Sequence, residues 1–156
     1  MGAQLKNYLH LHFIVFIWGF TAVLGKLITL DAMPLVWYRM LIAAVLIFFY
    51  LFAKRYSLKV SRKMLLALMG AGVVIALHWV TFFLAIKVSN VSIALATMST
   101  GAFFTAIIEP FWYKRKMIWY EILFGVIVML GLYLIFKVDT QYLYGIVLAL
   151  ISAFLS

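Results

Sequence analysis

The sequence predicts an all-α fold: a polytopic membrane helical bundle with five transmembrane helices and a truncated sixth. Three observations carry this. Of the 156 residues, 69% are hydrophobic and 11% charged, against about 45–50% and about 25% in soluble domains. Mean hydropathy is +1.18, more apolar surface than a soluble core could hide. The apolar residues also fall into runs of about 20, the length a helix needs to cross the hydrocarbon layer. This balance excludes disordered chains, nucleic-acid modules and secreted disulfide scaffolds. The chain has no cysteine, so it has no disulfide, no thiolate zinc site and no cysteine nucleophile. The net charge of +9 reads as Lys/Arg retained in cytoplasmic loops rather than as a nucleic-acid footprint; no nucleic-acid partner is expected.

The five runs are Tyr8–Leu30, Leu35–Ala53, Met64–Ile86, Val91–Tyr113 and Trp119–Phe136. Polar breaks separate them at Asp31–Pro34, Lys54–Lys63, Lys87–Asn90, Lys114–Ile118 and Lys137–Tyr142. Backbone groups in lipid must be paired within the segment, which makes the runs helices. Their apolar residues do not alternate at period 2 as barrel strands would. The sixth run, Leu143–Ser156, is apolar but reaches only about 21 Å as a helix, short of a layer of roughly 30 Å. It reads as a helix cut in half, the chain being expected to be a fragment or a shortened product. Met1–Lys6 resembles a signal-peptide n-region, but the apolar stretch after it is too long for an h-region and carries Lys26, so it reads as a retained first helix.

Loop charges orient the bundle. With the N-terminus inside, the cytoplasmic segments carry Lys6, then Lys54, Arg55, Lys59, Arg62 and Lys63, then Lys114, Arg115 and Lys116. The opposite loops carry Lys87 and Lys137. Nine cations against two predict a cytoplasmic N-terminus. Five spans are an odd number, so a second five-helix unit would be inverted relative to the first, an architecture recurrent in secondary transporters.

Charges inside spans are costly and mark functional positions by default. Lys26 lies near the outer end of the first span and Arg39 near the outer end of the second, either side of a short turn. Both could snorkel to the interface with Asp31 as counter-charge. Alternatively they form a positive clamp for a carboxylate or phosphate. Arg39 is the better candidate, because a guanidinium fork binds carboxylate bidentately. His78 lies mid-span beside Trp79, Phe82 and Phe83, and shares a helical face with Phe82 and Ala85. It is either hydrogen-bonded to a neighbouring helix or a cavity-lining imidazole that binds substrate or relays a proton.

The fourth span is small and weakly polar at its centre, Ala96-Thr97-Met98-Ser99-Thr100-Gly101-Ala102. This suits either close helix packing or a cavity wall offering the hydroxyls of Thr97, Ser99 and Thr100. The span ends with Glu109-Pro110 just before a basic cluster. Pro110 lacks a backbone donor and is expected to kink the last turn. Glu109 reads as an ion-pair partner of that cluster, or as a gate or titrating group. Gly19 and Gly25, Gly70 and Gly72, and Gly125 and Gly131 mark thin packing faces on the first, third and fifth spans. Trp18 and Trp79 offer aromatic walls to a cavity. No nucleophile elbow, HExxH, P-loop or phosphate-cradling glycine loop occurs, and the four acids are too scattered to pair. No enzyme activity, cofactor or metal is expected.

Trp18-Gly19, Arg39, the small-polar fourth span ending Glu109-Pro110-Phe111, and Gly125 with Gly131-Leu132-Tyr133-Leu134 together resemble the first repeat of the drug/metabolite transporter superfamily, EamA type. The likeness covers all five spans. Gly145, Ala149, Ser152 and Ala153 suit the start of a second repeat. The resemblance implies residues 1–142 as a first five-helix repeat and 143–156 as the start of a second. It also implies ten helices in two inverted repeats, cytoplasmic termini, and a central cavity for amino acids, related metabolites or drugs, usually exported. The expected partners are a small-molecule metabolite, the lipid bilayer, and a second EamA-like repeat in the same full-length chain or a second copy. The expected location is the cytoplasmic (inner) membrane, multi-pass. The alternatives are a small multidrug-type dimeric transporter, an integral membrane enzyme using His78 or Glu109, and a structural subunit without transport.

Overall fold

The structure is a computed structural model that describes residues 3–136 and 140–156. Among the described residues there are seven α-helices: α1 Ala3–Leu27, α2 Ala32–Ala53, α3 Arg62–Val88, α4 Val91–Met98, α5 Gly101–Tyr113, α6 Trp119–Phe136 and α7 Leu143–Leu155. A single 3-10 turn, Thr140–Tyr142, precedes α7. No strand occurs among the described residues. Four stretches are long and apolar enough to cross a membrane: Gln4–Leu27, Ala32–Ala53, Arg62–Val88 and Val91–Tyr113, the last comprising α4 and α5. Helices α6 and α7 are apolar and shorter. The outer-loop cation Lys137 lies outside the described residues.

Local signals set the boundaries. Ser61 caps α3, its Oγ accepting from the Met64 N–H at 3.2 Å, and Asn90 caps α4, its Oδ1 accepting from Ile93 N–H at 2.8 Å. Each cap satisfies one of the orphan donors of a helix start. At the other end of α2, Arg55 adopts a left-handed conformation with φ 55°. There the Arg55 N–H donates to the Phe52 carbonyl and the Tyr56 N–H to that of Leu51, both at 3.0 Å, the Schellman pattern that closes a helix.

One expectation is corrected. The fourth span is not a continuous helix but two, joined by a turn at Ser99–Thr100. Ser99 Oγ donates to the Ala96 carbonyl at 2.6 Å and Thr100 Oγ1 to the Thr97 carbonyl at 2.7 Å. The Ser99 amide is shared between the Leu95 carbonyl at 3.2 Å and that of Ala96 at 3.3 Å, and the Thr100 amide reaches back three residues to Thr97 at 3.1 Å. Hydroxyl side chains that bond the backbone compete with the α-helical ladder, and here they tighten it into a turn before Gly101. Pro110 is buried in the last turns of α5, which continues to Tyr113.

Helix α3 is the axis of the assembly. It packs against α1, α2, α4 and, most extensively, α7, while α5 pairs with α6. The core lies toward one end of the long helices. It joins Ala22, Ala32, Leu35 and Val36 to Phe82, Phe83, Ala85, Ile86 and Ala94, with Leu148 and Ala149 from α7. Toward the opposite end, 4–17 of α1, 40–53 of α2 and 62–75 of α3 are exposed almost throughout. In water this would not be tolerated. Lipid tails are as apolar as these side chains and supply no drive to bury them.

Small residues let α7 approach α3. Gly145, Ala149, Ser152 and Ala153 are buried on one face of α7, at the i, i+4, i+7, i+8 spacing of a helical stripe. Opposite them lie His78, Ala85 and Ser89 of α3. At Gly145 an added Cβ would fall 2.5 Å from the Ser89 Cβ and 2.6 Å from its Oγ, so only glycine fits. Gly25 is equally close to the Phe83 ring and Gly125 to Phe103, whereas Gly19, Gly70, Gly72 and Gly131 have open space around them. The sequence pattern marked all six as packing glycines; only two of those faces meet a neighbour.

Candidate substrate-binding site

Four aromatic rings line up on α3. Trp79 stacks on Phe83 at 5.8 Å and meets Phe82 edge-on at 5.8 Å. His78 stacks on Phe82 at 6.3 Å and meets Trp79 edge-on at 5.0 Å. From α2, the Arg39 guanidinium lies over the Trp79 ring, 4.0 Å from its centre, and 5.7 Å from that of Phe83. The negative faces of the two rings hold the cation. Its N–H donors have no carboxylate or carbonyl partner among the described residues. The same side chain lines a cleft of about 530 Å³ with Thr21 and Gly25 of α1, Tyr38 of α2 and Phe83 of α3. Gly25 keeps α1 thin where the Phe83 ring presses against it.

Lys26 is not part of this group. Its Nζ donates to the carbonyls of Ile86 at 3.1 Å and Ser89 at 3.3 Å, the carbonyl end of α3, where a helix carries about half a negative charge. Lys87 reciprocates by donating to the Ile28 carbonyl. Two lysines thus stitch the ends of α1 and α3 together. Asp31, expected as the counter-charge, makes no ion pair among the described residues.

His78 faces α7. Its Nδ1–H donates to the Ser152 carbonyl at 2.9 Å, and the Ser152 hydroxyl donates back to the His78 carbonyl at 2.9 Å. A carbonyl acceptor assigns a proton to Nδ1. Ser152 as a histidine partner was missed from sequence. The available signal was a serine in the middle of an otherwise apolar stretch, Ile146–Leu155.

Of the predicted cavity residues, Arg39 alone lines this cleft; Trp79 touches the guanidinium from outside it and His78 faces α7. Trp18 is 70% exposed on α1. Thr97 and Thr100 are buried and line a separate space of about 220 Å³ with Met129 and Tyr133 of α6 and Leu143 of α7. Ser99 is exposed, and its hydroxyl is engaged by its own backbone. Arg39, Trp79 and His78 are therefore neighbours, while the hydroxyl turn lies across the α4–α6–α7 side.

A third polar group closes the other end of α5. Arg115 donates to Glu109 at 2.8 Å and to Glu121 of α6 at 3.2 Å. These hydrogen bonds to Glu109 and Glu121 raise the Arg115 guanidinium above its ordinary range. The three residues border a cavity of about 430 Å³ with Phe103, Thr105 and Phe124. The ion-pair reading of Glu109 is therefore what the structure contains. Glu121 was not singled out from sequence, although Glu109, Arg115 and Glu121 flank the break at equal spacing.

The fold and the site define a multi-pass helical membrane protein with a cation held on aromatic rings inside its bundle. The sequence matches the EamA-like transporter family over residues 6–137, and the chain belongs to that family. This makes it a membrane transporter of the drug/metabolite type, a class that points away from enzyme chemistry. No curated protein and no solved structure matches it significantly.

Proposed function

We propose that the protein is a secondary transporter that exports amino acids or related small carboxylate-bearing metabolites across the cytoplasmic membrane. The observation that carries this is Arg39. Of the four charges within the spans, Lys26 is engaged by carbonyls and both Glu109 and Glu121 by Arg115. Arg39 alone presents its donors to a cleft, braced from behind by π faces. A braced guanidinium is pre-organised for a carboxylate. His78, outside that cleft and packed against Trp79, supports the ring stack that braces Arg39. The broken span at Ser99–Thr100 supports a bending point of the kind discontinuous helices provide in transporters.

The wide exposure of α1 and α2 supports completion of the cavity by a second, inverted five-helix repeat, carried in the same polypeptide or supplied by a second copy. Lys26 and Glu109 are then structural charges or gates rather than substrate contacts, and Thr97, Ser99, Thr100 and Trp18 belong to the moving walls.

Arg39→Ala in the complete protein should lower vesicle transport of carboxylate-bearing solutes about 10–100-fold, the worth of a hydrogen-bonded charge contact. Neutral solutes of similar size should be affected far less. Equal losses on both classes, at matched protein amounts, would reduce Arg39 to a structural anchor.

The proposed orientation has its own check, because the chain has no native cysteine. A cysteine at Ser57 should be shielded from an impermeant thiol reagent in intact cells, and one at Asn90 should react. The opposite pattern would invert the topology.

A further inference from the structure

We propose that the two basic loops on one face of the bundle, Lys54–Lys63 and Lys114–Ile118, form a docking surface for anionic phospholipid headgroups. They lie on one side of the membrane, because α3 and the α4–α5 pair between them make two crossings. The charge is one-sided. Arg115 is neutralised by Glu109 and Glu121, but Lys54, Arg55, Lys59, Arg62, Lys63, Lys114 and Lys116 have no acidic partner among the described residues.

The chain leaves the helix in the same way before each loop. Arg55 and Lys114, at φ 55° and 52°, are the non-glycine residues with positive φ among those described. A left-handed residue ends a helix abruptly and redirects the chain, so each loop turns off at the membrane boundary. A side chain at such a position is less favourable than glycine; here it places a positive charge at the level of the headgroups.

The loops also carry apolar anchors. In the first, Tyr56, Leu58 and Val60 alternate with Ser57, Lys59 and Ser61, and the three apolar side chains are exposed. In the second, Trp112, Tyr113, Trp119 and Tyr120 are all exposed around Lys114 and Lys116. Trp and Tyr rings settle at headgroup depth. Cations interleaved with membrane-seeking side chains fit a charged lipid better than a soluble anion, which has no apolar part to meet them. Each Lys or Arg near an anionic surface strengthens binding about fivefold.

The test is native mass spectrometry of the full chain in detergent with equal amounts of phosphatidylglycerol and phosphatidylcholine of matched acyl length. Wild type should retain phosphatidylglycerol at least tenfold over phosphatidylcholine. The variants K54Q/K59Q/K63Q and K114Q/K116Q should each lose most of that preference, and K54R/K59R/K63R should keep it. Circular dichroism verifies helical content, and the two loops give independent readings should one variant fail to fold. Three results would overturn the proposal: no preference in wild type, an unchanged preference in both folded glutamine variants, or complete displacement by millimolar glycerol phosphate, which would mark a small-anion site.

Discussion

Gly145→Val should loosen α7 from α3 and lower the thermal midpoint by several degrees. The position faces Ser89, whose Oγ is bonded to the Ala85 carbonyl at 2.6 Å at the end of α3. The first carbon of any side chain would fall 2.5 Å from the Ser89 Cβ and 3.4 Å from the Ala85 carbonyl oxygen. The helices must separate or Ser89 must give up its bond. Overpacking of this kind costs about 1–3 kcal/mol, at about 2–4 °C per kcal/mol for a chain of this size. Gly131→Val is the matched control, since open space surrounds Gly131. Circular dichroism melts in one detergent compare the two. Equal shifts would mean that α7 does not rest on α3 through this seam.

His78→Ala should do more than Ser152→Ala, and should affect stability and transport together. Ser152→Ala removes one hydroxyl bond between α3 and α7, and such bonds in membranes average about 0.6 kcal/mol. His78→Ala removes the bond to the Ser152 carbonyl and also the ring contacts with Trp79 and Phe82, each aromatic pair being worth about 0.5–1.5 kcal/mol. A total near 2 kcal/mol is expected. In vesicles His78→Ala should depress carboxylate-bearing and neutral substrates alike, unlike Arg39→Ala, which separates them. A wild-type melt with wild-type transport would remove His78 from both the seam and the site.

The spans were legible because each is a local property. Apolar runs, their polar breaks and the capping residues Ser61 and Asn90 depend on neighbours within a few positions, and most predicted ends moved by only a few residues. The largest discrepancy is the fourth span. Composition sees Val91–Tyr113 as one apolar run, and nothing in the run says whether its hydroxyls point at a cavity or at their own carbonyls. Ser99 and Thr100 chose the carbonyls, and the helix broke there.

The site was legible as residue types and not as partners. Arg39 stood out from sequence because a charge in a span is costly wherever it lies. Its neighbour across the turn, Lys26, was the weaker candidate for the same clamp, and the two part company: Arg39 rests on Trp79 and Lys26 on the end of α3. Hydropathy cannot separate them, because both choices satisfy a cation in a dry environment.

By itself the sequence determined the helical class, the membrane setting and the EamA-type pattern. These follow from transfer free energies and backbone pairing, which are summed along the chain. Only the tertiary structure decided that α7 sits against α3, that His78 is tied to Ser152, and that Arg39 opens into a cleft while Glu109 is locked to Arg115. Those outcomes depend on which helix faces touch. In lipid, apolar faces are nearly interchangeable. The choice falls to a few close approaches, at Gly145, Gly25 and Gly125, and to polar pairs separated by as many as 74 residues along the chain.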